Sequence, residues 1–272
     1  MIVSFRRVLI PILKIIIPIF IYGCGQSIGY KEVESEIRYY HSTTPEWLPS
    51  AAGPGIQHPA FIRLENVNKS KFEILGSVAK DDRTVWFEGK PILGADPGSF
   101  LNLEGPYQKD QLAVYFDGVP FESVKPEHFE VIKSKGWIAY ARSDEEVFFR
   151  EKSLNVNSIK NFEFIQGFDL WARDGLNYFL LERKITSGNY DDIKIINNSC
   201  YKDQSFVYHV DGNIDTLIFE KGDNIEIPSL DILTIEKTEH SAFLKDKFGY
   251  IDVHSKKRIS IDDYKFQLKH ND

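Results

Sequence analysis

Short runs of three apolar residues recur along the chain, and each run is bounded by polar and turn-forming residues. Val85–Phe87 precedes Glu88-Gly89, and Val114–Phe116 precedes Asp117-Gly118. Valine and aromatic side chains favour extended strands. An acidic residue followed by glycine suits a two-residue hairpin turn, in which the backbone adopts a positive φ. The pattern therefore predicts short antiparallel strands that are joined by tight hairpins.

The residues around the first of these hairpins predict the rest of one structural unit. Val78–Lys80 is a short strand, and a third strand follows the hairpin. Asp81 opens a turn, because its side chain can accept a hydrogen bond from the backbone two residues on. Asp96-Pro97 predicts an N-cap with proline at the first helical position. Phe100 and Leu103 would face the sheet from this single helical turn.

The unit repeats along the chain. Successive copies are separated by 29, 33, 31 and 29 residues, and their marker positions are Asp81, Asp110, Ser143, Asp174 and Asp203. A degenerate sixth copy is expected over residues 244–252, and a partial copy is expected to open the array near residue 57. Periods in this range indicate supersecondary units that stack on one another.

Three motifs carry a resemblance to a known family. They are Ala79–Asp81, the run Val85–Ile92 and the G-A-D-P-x-x-F string at Gly94–Phe100. On these motifs the units resemble the DKNYY family of repeat proteins. The resemblance is specific over residues 79–133 and weakens beyond them, where Arg150-Glu151 replaces the turn glycine of the third copy. The family is defined by its repeat, so the resemblance implies no known activity.

These observations predict a mainly β fold, an array of β-hairpin or three-stranded units that are each followed by a short helical turn. One unit buries too few apolar side chains to offset the conformational entropy of roughly 30 residues, so stacking must stabilise the array. The predicted divisions are a signal peptide over residues 1–23, a tether over 24–56, the repeat body over 57–254 with its clearest part at 79–165, and a C-terminal tail over 255–272.

The N-terminus is typical of an export signal. Arg6 and Arg7 precede an apolar stretch over Val8–Tyr22, which Lys14 interrupts. A spanning helix needs roughly 20 apolar residues, so the pattern favours a cleaved signal over a permanent transmembrane helix. The string Ile21–Cys24 resembles a bacterial lipobox, which implies lipid attachment at Cys24 and an extracytoplasmic place at the cell envelope. Ordinary cleaved secretion and an uncleaved anchor are the alternatives.

Charge argues against one class of partner. The net charge is −7, and Arg6, Arg7 and Lys14 are the only charged residues before Cys24. Without the first 23 residues the chain carries 30 basic and 40 acidic residues, a net charge of −10. Because an acidic body repels a phosphate backbone, nucleic acid is not expected as a partner.

No arrangement of side chains predicts catalysis, a metal site or a cofactor. Gly25–Gly29 fits the G-x-S-x-G pattern of hydrolases, but it lies in the tether and lacks the strand and helix that the motif needs. The seven histidines show no metal-ligand spacing. Asp144–Glu146 and Lys256–Arg258 are expected to be solvated, Cys200 to be a small buried side chain, and the recurring turn aspartates to be structural.

We therefore expect a non-catalytic envelope lipoprotein, held at the membrane by its lipid anchor, that presents a repeat scaffold for binding or for structure. Trp86 and Tyr115 could meet a glycan or a partner protein if they are exposed. The alternative is an envelope hydrolase with its site in the less repetitive residues 204–254. A cleft with converging carboxylates or a histidine in that segment would favour the enzyme.

Overall fold

The computed structural model describes residues 28–41, 61–121, 124–185, 190–210 and 230–270, together with short strands between 212 and 224. Every strand pairing among them is antiparallel. Sheet I contains β1 (Gly29–Val33), β2 (Glu36–Tyr40) and β3 (Phe61–Arg63). Sheet II contains β4 (Glu73–Leu75), β5 (Val78–Lys80), β6 (Val85–Phe87) and β7 (Lys90–Pro91). Sheet III contains β8 (Leu101–Asn102), β9 (Tyr107–Lys109), β10 (Val114–Phe116) and β11 (Val119–Pro120).

The remaining sheets follow the same plan. Sheet IV contains β12 (Glu130–Lys135), β13 (Ile138–Arg142), β14 (Val147–Phe149) and β15 (Lys152–Ser153). Sheet V contains β16 (Glu163–Phe164), β17 (Trp171–Arg173), β18 (Tyr178–Leu180) and β19 (Arg183–Ile185). Sheet VI contains β20 (Lys194–Ile195), β21 (Cys200–Lys202), β22 (Val207–His209) and β25 (Asp223–Asn224), with β23 (Gly212–Asn213) and β24 (Ile218–Phe219) forming a separate ribbon. Sheet VII contains β26 (Glu236–Lys237), β27 (Phe243–Asp246), β28 (Gly249–Asp252) and β29 (Lys257–Ile259).

The mainly β repeat fold is confirmed, but sheets II to VII have four strands where hairpin or three-stranded units were predicted. The segment after each helical turn pairs with the next sheet. Glu130–Lys135 follows the 3₁₀ turn Pro126–His128 and pairs with Ile138–Arg142. Likewise Leu101–Asn102 is a strand, so Leu103 does not lie on a helical turn with Phe100. Each helical turn therefore links two sheets. The described 3₁₀ helices are Lys69–Lys71, Pro126–His128 and Tyr190–Asp192.

Two-residue hairpins close the same edge of four successive sheets. The Asp-Gly assignment is confirmed, because Asp117 has φ 48° and Gly118 has φ 73°. Arg150 and Leu181 occupy the first turn position in sheets IV and V, with φ 54° at each. The flanking pairs Phe149↔Lys152 and Leu180↔Arg183 keep the register of the other sheets. Loss of the turn glycine therefore leaves the strand register unchanged.

The apolar core is divided into clusters that lie between neighbouring sheets. Val78 and Val85 of sheet II, for example, pack with Phe100 and Tyr115 on the side of sheet III. Each of the six clusters among the described residues joins two consecutive sheets, and the joined pairs are I–II, II–III, III–IV, IV–V, V–VI and VI–VII. An inner sheet is thus buried on both faces. The body is a stack of separate sheets.

Sheet I differs from the tether predicted for residues 24–56. Residues 29–40 form a hairpin, and the hydroxyl of Tyr30 donates a hydrogen bond to the carbonyl of Trp86 (3.1 Å) and accepts one from the amide of Gly89 (3.0 Å). Burial of Tyr30, Ile37 and Tyr39 against sheet II favours this hairpin over a tether. The rest of the predicted tether, the predicted signal peptide and Cys24 lie outside the described residues.

The predicted C-terminal tail is also ordered over most of its length. Lys257–Ile259 completes sheet VII, and helix α1 (Ile261–His270) packs on that sheet through Tyr264. The ring of Tyr264 lies 5.3 Å from that of Phe243 and stacks on that of Tyr250 at 4.1 Å. Within the described ranges, no helix is long and apolar enough to span a membrane.

Candidate functional site

The turn aspartates, one of the features that could have formed a ligand site, connect neighbouring segments of the backbone. Oδ1 of Asp81 accepts hydrogen bonds from the amides of Arg83 and Thr84, both at 2.8 Å. Oδ2 accepts a hydrogen bond from the amide of Asn68 at 2.7 Å. This bond fixes the start of the preceding helical turn. Burial alone would raise the pKa of Asp81, but the three backbone donors outweigh it and lower that pKa.

The same two-sided contact recurs in other units. Oδ1 of Asp110 accepts the amide of Leu112 at 2.7 Å, and its Oδ2 accepts the amide of Asp96 at 2.8 Å. Asp174 repeats it with the amides of Leu176 (2.9 Å) and Asn157 (2.6 Å). Since both oxygens of these carboxylates are engaged by the backbone, we assign the turn aspartates a structural role.

Asp246 shows that the sixth copy is part of the array. Its Oδ2 accepts the amide of Asp231 at 2.9 Å, as in the other units. Arg258 adds a bidentate contact, with N–O distances of 2.7 and 2.9 Å. Burial opposes ionisation, but Arg258 and the backbone donors outweigh it and lower the pKa of Asp246 to about 2. The basic run Lys256–Arg258 is therefore not simply a solvated face, because Arg258 anchors β29.

A recurring lysine is a structural residue that the sequence reasoning missed. Nζ of Lys80 donates to the carbonyls of Pro97 (3.1 Å) and Phe100 (3.4 Å), which belong to the following helical turn. Lys109 makes the same pair of contacts with the next helical turn. The signal was present in the sequence, since a lysine precedes the turn aspartate in both copies. Lysine and aspartate together fix the helical turns on both sides of a sheet.

The aromatic residues considered for ligand binding are not exposed. Trp86 is 4% exposed and Tyr115 is 2% exposed. The hydroxyl of Tyr115 donates to Oδ2 of Asp110 at 2.8 Å. Both rings lie in the clusters between sheets. The condition under which they could bind a ligand, exposure of their rings, is therefore not met, and a binding surface must be built from other side chains.

Residues 204–254 and their surroundings bring few reactive groups together in the described ranges. Cys200 is buried beside this segment, and burial raises the pKa of its thiol to about 12, so it stays a neutral side chain at physiological pH. The rings of His209 and His254 meet at 5.2 Å, perpendicular to each other. Among the described residues, no group of three or more histidine, cysteine or acidic side chains is placed to hold a metal ion. Gly25–Ser27 of the G-x-S-x-G string lies outside the described residues.

A concave surface lies where strands β2 and β3 of sheet I meet the hairpins of sheets II and III, and we call it the hairpin groove. Its volume is about 720 Å³. Sheet I contributes Phe61 and Ile62, sheet II contributes Phe87, Glu88 and Lys90, and sheet III contributes Asp117 and Val119. The side chain of Val119 is 64% exposed. The groove is thus open to a ligand along one edge of the stack.

Two turn glycines bring the hairpins close enough to form this groove. A Cβ on Gly118 would lie 2.5 Å from Cβ of Phe87, and a Cβ on Gly89 would lie 2.9 Å from Cβ of Tyr39. Real Cβ contacts are not this short, so only glycine allows the backbone of one hairpin to rest on the preceding sheet. The floor of the groove is therefore continuous from one sheet to the next.

Carboxylates line the groove beside its apolar floor. Glu88 and Asp117 occupy equivalent turn positions in successive sheets. Partial burial raises the pKa of Asp117, Arg150 opposes this from 3.9 Å, and the charges of Glu88 and Glu151 add to the rise. An incompletely compensated carboxylate over an apolar floor suits a ligand that carries both an apolar segment and a positive charge.

The DKNYY family matches residues 78–252, which run from β5 of sheet II to the end of β28 in sheet VII. No curated protein and no solved structure matches the chain.

Proposed function

The chain belongs to the DKNYY family, and we propose that it serves as a non-catalytic scaffold of the cell envelope, held at the membrane by a lipid on Cys24. The lipid anchor is supported by the basic n-region, the short apolar stretch and the string Ile21–Cys24. More than one acyl chain is needed for stable anchoring, since a single chain binds only marginally. The anchored protein faces the extracytoplasmic side of the membrane.

The scaffold role rests on one observation, which is that the turn aspartates and lysines that recur in most units connect parts of the stack. Turn aspartates such as Asp81 hold backbone amides, and lysines such as Lys80 hold backbone carbonyls. Catalytic carboxylates and amines need a free face toward a substrate. Because the recurring polar groups are bonded to the backbone, the repeat is suited to hold a binding surface in place rather than to act on a substrate.

We propose that the hairpin groove is the binding surface, and that its partner is a protein segment with apolar side chains and at least one basic side chain. Phe87 and Ile62 supply the apolar floor, while Glu88 and Asp117 supply negative charge. A glycan is the lesser fit, because Trp86 is buried and a sugar ring would have only the partly buried rings of Phe61 and Phe87 to stack on.

Labelled palmitate tests the anchor. Cells that express the protein should incorporate the label into it, and Cys24→Ser should abolish incorporation. Label that persists in Cys24→Ser, or no label in the parent protein, would rule out a lipid on Cys24. Because this readout concerns only the anchor, it is independent of the groove.

Site-specific photo-crosslinking in intact membranes tests the groove. A crosslinking residue at Val119 (64% exposed) should yield a discrete protein adduct, and Glu88→Gln with Asp117→Asn should reduce it. The matched control is Leu176, which is 60% exposed on a turn of sheet V. Equal adducts from both positions would argue against the groove. An adduct that resists protease but not glycosidase would show a glycan partner in its place.

A further inference from the structure

One face of sheet I is covered by no other sheet of the described residues, and we call it the outer face. Tyr30, Ile37 and Tyr39 point to the other side and pack against sheet II. The strand pairing places the alternate residues on the outer face. It consists of Lys31, Val33, Glu36, Arg38, Tyr40, Phe61 and Arg63. Three of these side chains are basic and one is acidic.

The basic side chains of the outer face lie over its aromatic rings. Nζ of Lys31 is 5.1 Å from the centre of the Tyr40 ring, and the guanidinium of Arg38 is 4.6 Å from that of Phe61. The side chain of Arg63 is 62% exposed and shares Glu36 with Arg38, each at 3.1 Å. Glu34, at the tip of the β1–β2 hairpin, also lies 3.7 Å from Arg38. Three basic side chains thus meet two acidic ones, and the face keeps one excess positive charge although the chain after residue 23 has a net charge of −10.

The distance between the anchor and sheet I is short. Strand β1 begins at Gly29, and the proposed acylated residue is Cys24. Five residues span at most roughly 18 Å when fully extended. If Cys24 lies at the membrane surface, sheet I must lie within that distance of the lipid headgroups.

Resting on the proposed lipid anchor, we propose that the outer face of sheet I docks on anionic phospholipid headgroups and orients the stack end-on to the membrane. Arg63 and Lys31 meet the phosphates, and the partly exposed ring of Phe61, beneath Arg38, lies at headgroup level, where such groups are favoured. Tyr40 is only 5% exposed and supports the face from within. The acidic remainder of the chain is repelled by the same surface. Sheet VII and α1, at the other end of the stacking order, then lie away from the membrane.

Hydrogen exchange on the acylated full-length protein tests this orientation. The protein is placed in vesicles of phosphatidylcholine with or without one third phosphatidylglycerol. In the anionic vesicles, backbone amides of Gly29–Val33 and Phe61–Arg63 should exchange at least threefold more slowly than in pure phosphatidylcholine. Amides of Ile261–His270 should not change. Slower exchange at Ile261–His270, or no difference at sheet I, would overturn the proposal.

A charge-reversal variant and its matched control complete the test. Lys31→Glu with Arg63→Glu should remove the slower exchange at sheet I, while Lys265→Glu with Lys269→Glu, the same change in charge on α1, should retain it. Retention in both variants would overturn docking through these residues. If the first variant melts at a lower temperature, Lys31→Gln with Arg63→Gln replaces it. Flotation with vesicles in high salt measures the lipid anchor separately. Loss of flotation would rule out the anchor, whereas flotation without slower exchange at sheet I would rule out docking.

Discussion

The ionised state of single carboxylates contributes to the stability of each unit. Asp246 is the clearest case, because its carboxylate binds Arg258 and two backbone amides while its side chain is fully buried. A folded-state pKa of about 2 lies below the value of about 3.9 in an unfolded chain. Ionisation therefore favours the folded state above pH 4.

We expect this contribution to be present at pH 6 and to disappear as the pH falls from about 4 through 2. For Asp246 the stabilisation amounts to about 2 kcal/mol. The pKa values of Asp81 and Asp174 are also lowered, so these carboxylates too stabilise the folded state less as the pH falls. Urea denaturation should show Asp246→Asn to be destabilised at pH 6 and to approach the parent protein at pH 2. Asp144→Asn, with a side chain that is 71% exposed, is the control. A stability difference for Asp246→Asn that does not depend on pH would contradict the assignment.

A pair of buried tyrosines permits a second test at this scale. The hydroxyl of Tyr107 donates to the carbonyl of Arg150 at 2.8 Å. The equivalent hydroxyl of Tyr140 is buried and has no hydrogen-bond partner among the described residues. Removing a satisfied hydroxyl costs about 1 kcal/mol, whereas removing an unsatisfied one costs nothing or stabilises. Tyr107→Phe should therefore lower the unfolding free energy and Tyr140→Phe should not; equal losses would show that Tyr140 has a partner.

At the scale of the element, a turn glycine is required for two reasons, a positive φ and a lack of room for a Cβ atom. Gly118 and Gly94 have similar positive φ values, 73° and 81°, but a Cβ on Gly94 would meet nothing within 4 Å. Gly94→Ala should cost about 1 kcal/mol for the backbone strain alone. Gly118→Ala should cost at least about 2 kcal/mol, because the new Cβ also displaces Phe87. Equal costs in thermal or urea unfolding would mean that the contact between successive hairpins is unimportant.

The strands and hairpins could be predicted because their signals are local. Val85–Phe87 followed by Glu88-Gly89 contains both the strand preference and the turn chemistry. The first strand of each sheet could not be predicted in the same way. Leu101–Asn102 has only two residues, and it becomes a strand by pairing with Tyr107–Lys109 of the next unit. Its partner depends on stacking, which short-range patterns do not describe.

The candidate site was harder to predict than the elements that form it. The hairpin groove combines side chains from three units, such as Phe61, Phe87 and Val119. The repeat positions of these residues were visible in the sequence, but the distance between consecutive hairpins was not. That distance is set by the contact of Gly118 with Phe87. Whether Trp86 is exposed could not be decided from the sequence for a related reason, since it depends on the covering of both faces of an inner sheet.

At the scale of the whole molecule, the position of a core residue in the stack should decide how much stability its truncation removes. Phe129 is 2% exposed and packs with Tyr107 and Phe148 between sheets III and IV. Phe129→Ala should cost about 3–5 kcal/mol. Phe72 is half-buried between Tyr30 and Trp86, next to the first sheet, so Phe72→Ala should cost less, about 2 kcal/mol.

Hydrogen exchange should separate the two variants. Phe72→Ala should raise exchange in sheets I and II before the rest of the stack opens, whereas Phe129→Ala should raise it on both sides of its own position. If both variants unfold the whole chain in one step with the same loss of stability, the sheets do not behave as a linear array.

The division of the core into clusters between neighbouring sheets has a mechanical consequence. No cluster among the described residues joins more than two sheets, so tension applied to the C-terminal end acts on one interface at a time. We expect the chain to lengthen stepwise under load, each sheet releasing 29 to 33 residues, or roughly 100 Å of extended polypeptide. Sheets nearer the N-terminal end would stay folded meanwhile. A protein built in this way can lengthen under a pull between its two ends and refold sheet by sheet when the pull ends.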